Sequence, residues 1–220
     1  MAANLAALGR VRFQRLQQSV MITYRIGQGG RYLWARIVDT FSALGIDPNV
    51  LTAVGFGINV LAVYLFAYGY FRWAGLTVIV ASVFDLTDGP VARVTKRVTP
   101  FGGFLDSVVD RYSDLLLLVG LLVYYGRINR FWYVTLVAVA MIGAVMTSYT
   151  RARAENLIPK CKVGFLERPE RIVLIIIGAL TDRMAAVLWV IVVFSQLTVI
   201  HRIVYTYQQS RNLTGSPTRS

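Results

Sequence analysis

Long apolar runs separated by short polar breaks organise this chain. Six of them approach the about 20 residues that cross a bilayer: 51–70, 73–92, 106–126, 131–151, 170–181 and 184–205. The fifth is the weakest. Its clean apolar stretch, Ile172–Leu180, is short, so its helix has to begin inside the charged segment before it. Asp47-Pro48-Asn49 reads as a turn and N-cap leading into the first run. Short breaks containing Gly or Arg join runs one to two, three to four and five to six, while the connections 93–105 and 152–169 are longer. Residues 1–47 mix Arg and Gln with large apolar residues and include Gly27, Gly29 and Gly30, which interrupt helical continuity. That segment reads as amphipathic helix lying on a membrane face. Residues 208–220 read as a disordered tail. The expected fold class is an all-α integral membrane protein. It has six transmembrane helices in one domain over 48–207, preceded by a juxtamembrane segment over 1–47 with a cytoplasmic amphipathic helix.

Composition agrees with that pattern. The 220 residues are 56% hydrophobic with a mean hydropathy of +0.56, more apolar than a soluble domain of this length needs. No secretory signal with a small-residue cleavage site is visible at the start. The single Cys161 permits no internal disulfide. The formal net charge is +12, and its placement is informative. With the N-terminus cytoplasmic, eighteen of the 23 Lys and Arg fall on the cytoplasmic side. Only Arg72, Arg127, Arg130 and Arg183 fall on the other, and Arg111 lies inside the third run. This positive-inside bias predicts both termini on the cytoplasmic face of the cytoplasmic (inner) membrane. It favours anionic headgroups or phosphates as partners. Nucleic acid is the weaker reading, because no recognised binding module is present.

Against this apolar background, five of the eleven acids lie between Asp85 and Asp114. The pattern is Asp85-x2-Asp88-Gly89-x2-Ala92-Arg93-x8-Gly102-x3-Asp106-x3-Asp110. Spacings of three and four put each pair on one side of a helix. Two adjacent antiparallel helices then bring four carboxylates to one membrane depth, near the cytoplasmic interface. Carboxylates there are costly unless a cation binds them. Oxygen-only ligands suit Mg²⁺ or Mn²⁺, and four carboxylates can hold two such ions, enough to clamp a diphosphate. Gly89 leaves room for a substrate against the helix, and Arg93 can meet a phosphate. Salt-bridged helix ends and an ion-coupled transporter are the rival readings. Neither explains the glycines and arginine set between the acids.

At these residues the chain resembles the CDP-alcohol phosphotransferase (phosphatidyltransferase) family, whose signature D-x2-D-G-x2-A-R-x8-G-x3-D-x3-D is present at every fixed position. The resemblance extends over about 45–207. It implies a homodimer of six-helix subunits that displaces CMP from a CDP-linked lipid and transfers the phosphatidyl group to an alcohol. By position it makes Asp85, Asp88, Asp106 and Asp110 metal ligands, and Asp110 also the base for the acceptor hydroxyl. A carboxylate held tightly by a divalent ion is a poor base, so Asp110 has to be weakly metal-bound or to act by orienting the hydroxyl. Gly89, Ala92 and Arg93 would line the CDP site, with Asp88 and Gly102. Pro48, Asn49 and Thr52 match the family's P-N-x-L-T element beside the nucleotide.

A second charged cluster bears on the acceptor. Arg151 ends the fourth run, Arg171 opens the fifth and Arg202 closes the sixth, all on one side. Three guanidinium groups there can converge on a phosphate, with Glu155 and Glu167 pairing with neighbouring arginines. Membrane-anchoring arginines that snorkel to headgroups are the alternative. The elements Ser148–Glu155 and Gly164–Arg171 look like the bacterial phosphatidylinositol-phosphate synthases, which implies CDP-diacylglycerol as donor and inositol 1-phosphate as acceptor. Similar elements occur in archaeal ether-lipid enzymes. Glycerol 3-phosphate, the acceptor of phosphatidylglycerophosphate synthases, satisfies the same electrostatic logic. Asp114 continues the Asp106–Asp110 face and is expected to pair with Arg111 or with an arginine of another helix.

Overall fold

The computed structural model describes residues 35–214. The expectations for residues 1–34 and for 215–220 lie outside the described residues; residues 208–214, read from the sequence as part of a disordered tail, are instead the last turns of the final helix, which ends at Thr214. Seven helices follow in order: α1 (35–43), α2 (Pro48–Ala67), α3 (Phe71–Val94), α4 (Pro100–Arg127), α5 (Phe131–Ala154), α6 (Arg168–Leu180) and α7 (Met184–Thr214).

Local chemistry sets the helix starts. The Asp47 side chain accepts from the Asn49 amide at 2.9 Å, with Pro48 in the first turn. The Thr99 hydroxyl accepts from the Gly102 amide at 3.0 Å, with Pro100 in the first turn. Glu167 and Glu170 form a reciprocal capping box around Pro169. Lys96, Asn129 and Asp182 stand one residue past the C-caps of α3, α4 and α6 with φ of 56°, 54° and 55°, the left-handed turn that ends a helix and reverses the chain.

The helices pack in a bundle, α2 on α3 and α4, α5 on α4 and α7, and α6 on α3 and α7. A Cβ at Gly120 would stand 2.7 Å from the Val63 carbonyl, so only glycine lets α4 lie this close to α2. Phe66, Val78, Leu117, Leu121, Val137, Ile175, Leu188 and Ile191 form the main buried core. Val38 and Phe41 of α1 pack with Leu51 and Val91, which ties the end of the juxtamembrane segment to α2 and α3.

The sequence predicts six spans. Among the described residues, four helices are long and apolar enough to cross a membrane: α2, α3, α5 and α7. α4 has the length, but Asp106, Asp110, Arg111 and Asp114 interrupt its apolar sequence between its start and its middle. α6 has 13 residues, about 20 Å of helix against a hydrocarbon core of about 30 Å. It does begin inside the charged segment, at Arg168.

Candidate active site

The end of α3 and the start of α4 face each other across the connection 95–99, which puts the four aspartates together. One carboxylate oxygen from each of Asp85, Asp106 and Asp110 lies within 4.8 Å of the others. Asp88 does not join this trio. It is buried, its Oδ2 accepts from Thr52 Oγ1 at 2.6 Å, and its Oδ1 accepts from the Gly89 amide at 2.5 Å. Helix geometry explains the split. Residues three apart differ by about 60° around an α-helix, so Asp85 turns towards α4 and α6 while Asp88 turns towards α2. Pro90, inside α3, has no amide for the Leu86 carbonyl and removes one helical bond beside Gly89.

Two cavities meet at the carboxylates. The first, about 540 Å³, is lined by Pro48, Asn49, Thr52, Asp88, Gly89, Ala92, Arg93 and Gly102, with Asp106. All eight expected CDP-site residues therefore face one space. A Cβ on Gly89 would meet nothing nearer than Arg93 Nη1 at 3.9 Å, so helix packing does not require this glycine. The second cavity, about 460 Å³, is lined by Asp110, Asp114, Thr147, Arg151, Glu167, Arg168 and Arg202, among others. A third, narrower cleft between α2, α3, α4 and α6 is mostly apolar and reaches Asp85 and Arg168.

The arginines divide differently from expectation. Arg151 is half-exposed on the second cavity and contacts Glu155 and Glu167, each at 3.2 Å. Arg202 is buried on the same cavity, donating to the carbonyls of Val163 (2.8 Å) and Thr147 and to Glu167 at 2.5 Å. Glu167 thus holds both arginines. The loop before it is clamped to α7, because Thr198 Oγ1 accepts from the Phe165 and Leu166 amides at 3.0 Å each. Gly164 has φ +142°, and a Cβ there would stand 2.6 Å from Thr198 Cγ2, so the close approach needs glycine.

Arg171 is not among the residues lining that cavity. It is fully buried, its Nε donates to Asp114 at 2.9 and 3.1 Å, and its Nη2 also pairs with Asp114. Of the three arginines expected to converge on one phosphate, Arg151 and Arg202 line this cavity, while Arg171 pairs with Asp114 and ties α6 to α4. Asp114 takes an arginine of another helix, while Arg111 donates to the Ser107 carbonyl.

Sequence reasoning missed Arg168. Its Nη1 lies 3.0 Å from Asp85 Oδ2, as a hydrogen bond, and 2.9 Å from Asp110 Oδ1. The Asp110 contact lacks hydrogen-bond geometry, so Asp110 Oδ1 is buried without a hydrogen bond. A signal was present. Arg168 and Arg171, three apart, can face Asp110 and Asp114, four apart, across two packed helices.

The donor set fits a divalent ion. All three donors are carboxylate oxygens at compatible spacing, and an oxygen buried without a hydrogen bond is stabilised by a cation. Asp85, Asp106 and Asp110 can hold a metal.

Comparison with known proteins agrees with this geometry. The family model for CDP-alcohol phosphatidyltransferase matches residues 46–206. The chain belongs to the CDP-alcohol phosphatidyltransferase family. It is therefore a transferase, and its apolar helices make it an integral membrane protein. It is 40% identical over 169 residues to the archaetidylinositol phosphate synthase of Pyrococcus horikoshii, covering 76% of this chain and 87% of that one. A crystal structure of Mycobacterium tuberculosis phosphatidylinositol phosphate synthase with CDP-DAG bound superposes with a TM-score of 0.74 at 26% identity, covering 86% of this chain and 98% of that one. The same enzyme in complex with manganese and citrate gives a TM-score of 0.72 at 27% identity, covering 85% and 93%.

Proposed function

We propose that this transferase moves the phosphatidyl group of CDP-diacylglycerol onto a hydroxyl of inositol 1-phosphate, releasing CMP and forming phosphatidylinositol phosphate. The observation that carries the reading is the meeting of two cavities at three carboxylates. One cavity is lined by the CDP-motif residues and the other carries Arg151 and Arg202 beside Asp110.

In the reaction, the acceptor hydroxyl oxygen attacks the β-phosphorus of the CDP-lipid. A new P–O bond forms, and the bond from that phosphorus to the bridging oxygen breaks. CMP leaves with the bridging oxygen and both electrons. Asp110 lines the acceptor cavity and accepts the hydroxyl proton or orients the hydroxyl for attack. Arg93, on the nucleotide cavity wall, neutralises the departing phosphate side. Thr52 holds the Asp88 carboxylate facing that cavity. Arg151 and Arg202, kept in place by Glu167, bind the acceptor phosphate. Two Mg²⁺ or Mn²⁺ ions bound by Asp85, Asp88, Asp106 and Asp110 would supply charge neutralisation for the diphosphate. The apolar cleft beside Asp85 suits a lipid chain.

The same reading has six spans, with α4 and α6 covered by their more apolar neighbours. It puts the site and both termini at the cytoplasmic face of the cytoplasmic membrane, in a homodimer. The placement of Lys and Arg supports the orientation, and the family resemblance supports the dimer. Donor linkage, diacyl or ether, lies away from the reacting atoms; the similarity to an archaetidyl-type synthase makes a paired donor assay informative.

CMP release from CDP-lipid by the purified protein, with and without Mg²⁺ or Mn²⁺ and inositol 1-phosphate, tests the proposal. Release that needs both the ion and the acceptor is expected. No release with any alcohol would end the enzyme reading.

A further inference from the structure

Arg168 sits where the proposed reaction needs a metal. Its guanidinium bridges Asp85 and Asp110, two of the three grouped carboxylates. The bridge is poorly satisfied. Nη1 makes one hydrogen bond, to Asp85. Arg168 Nε and Asp110 Oδ1 are both buried without hydrogen-bond partners. The Arg171–Asp114 pair differs in degree: it leaves Arg171 Nη1 without a partner, but makes three hydrogen bonds where Arg168 makes one. Arg111 also acts on Asp106, so two positive charges face three carboxylates and leave them under-neutralised.

The position of Arg168 adds a second observation. It lines the acceptor cavity together with Arg151 and Arg202, and it also lines the apolar cleft on the other side of the trio. Its side chain therefore has open space on either side of the bridge. The helix beneath it is held separately, because Arg171, one turn on, is locked to Asp114. Arg168 can change partners by side-chain rotation while α6 stays in place.

We propose that Arg168 is an internal counter-ion of the metal site. It holds Asp85 and Asp110 together in the metal-free protein and gives them up when a divalent ion binds. The inference rests on the metal assignment made above and extends it to how the site is kept ready. Without a cation, three neighbouring carboxylates repel one another; Arg168 limits that repulsion. Once released, the guanidinium adds positive charge to the wall of the acceptor cavity. Metal and acceptor phosphate then each favour the same arrangement, so each tightens the other's binding.

The sign of one measurement separates this from the alternative. A fixed outer partner of a ligating carboxylate strengthens metal binding, and its loss weakens affinity by about 10–100-fold. A competing cation does the opposite. The experiment titrates Mn²⁺ by electron paramagnetic resonance into the full chain in lipid nanodiscs, comparing wild type with Arg168→Gln. Arg168→Lys serves as a charge-preserving variant, and Arg153→Gln, at an exposed position, controls for net charge. We expect Arg168→Gln to bind Mn²⁺ about tenfold more tightly, with Arg168→Lys and Arg153→Gln near wild type. Inorganic phosphate should tighten Mn²⁺ binding several-fold in wild type and much less in Arg168→Gln. Unchanged or weaker Mn²⁺ binding in Arg168→Gln would overturn the inference, whatever the acceptor proves to be. Mn²⁺ binding in no variant would overturn the metal assignment itself, and the inference with it.

Discussion

Replacing Arg171 by alanine separates two roles for one residue. The side chains of Arg171 and Asp114 are 1% and 5% exposed, and the guanidinium makes three hydrogen bonds to the carboxylate. Truncating one partner of such a pair leaves the other charge buried and unpaired, which costs about 3–5 kcal/mol. That is a large share of the about 5–15 kcal/mol that holds a domain together. At about 2–4 °C per kcal/mol for a chain of this size, the melting point should fall by about 10 °C. The single cysteine, Cys161, is fully buried, so a thiol-reactive dye reports unfolding in detergent. Replacing both partners, Asp114→Leu with Arg171→Met, removes the unpaired charge and should recover most of the loss. The reasoning fails if Arg171→Ala melts within about 2 °C of wild type while its acceptor KM rises. That result would mean the guanidinium serves the phosphate and not Asp114.

Other consequences follow from the cavities. Gly89→Leu projects a side chain into the nucleotide cavity, where nothing lies closer to a Cβ than 3.9 Å. The KM for CDP-lipid should rise by about tenfold or more with little change in melting point, and unchanged kinetics would move the nucleotide elsewhere. Arg151→Gln removes a half-exposed guanidinium from the acceptor cavity. The acceptor KM should rise about tenfold with a smaller effect on kcat, and an equal fall in kcat and kcat/KM would place this arginine on the transition state instead. Asp110→Asn keeps the side chain's shape and should lower turnover by orders of magnitude while the melting curve is preserved; retained turnover would remove the proton-accepting role.

Much of this architecture was legible in the order of residues. Apolar runs marked α2, α3, α5 and α7, and Asp47-Pro48 marked a helix start, whereas α4 begins at Pro100, inside the stretch 93–105 read as a connection. The CDP-site residues could be grouped without a structure through the family's motifs, and they meet because they sit at the start of α2, the end of α3 and the start of α4. The arginines could not. Whether Arg168 or Arg171 faces the aspartates depends on how α6 is rotated against α3 and α4. That rotation is set by contacts such as Gly75 against Ala179, between residues far apart in the chain. The separation of Asp85 from Asp88 has the same origin. Spacing says that they share a side of the helix, but only the positions of Thr52 and Arg168 decide which neighbour each one meets.

The central claim is that the carboxylates join a CDP-lipid cavity to a cavity for inositol 1-phosphate. Side-by-side incorporation of labelled inositol 1-phosphate and labelled glycerol 3-phosphate into lipid, under one set of conditions with CDP-diacylglycerol and Mg²⁺, tests it most directly. The account predicts that inositol 1-phosphate is incorporated with one CMP released per product. Incorporation of the glycerol compound alone would contradict it.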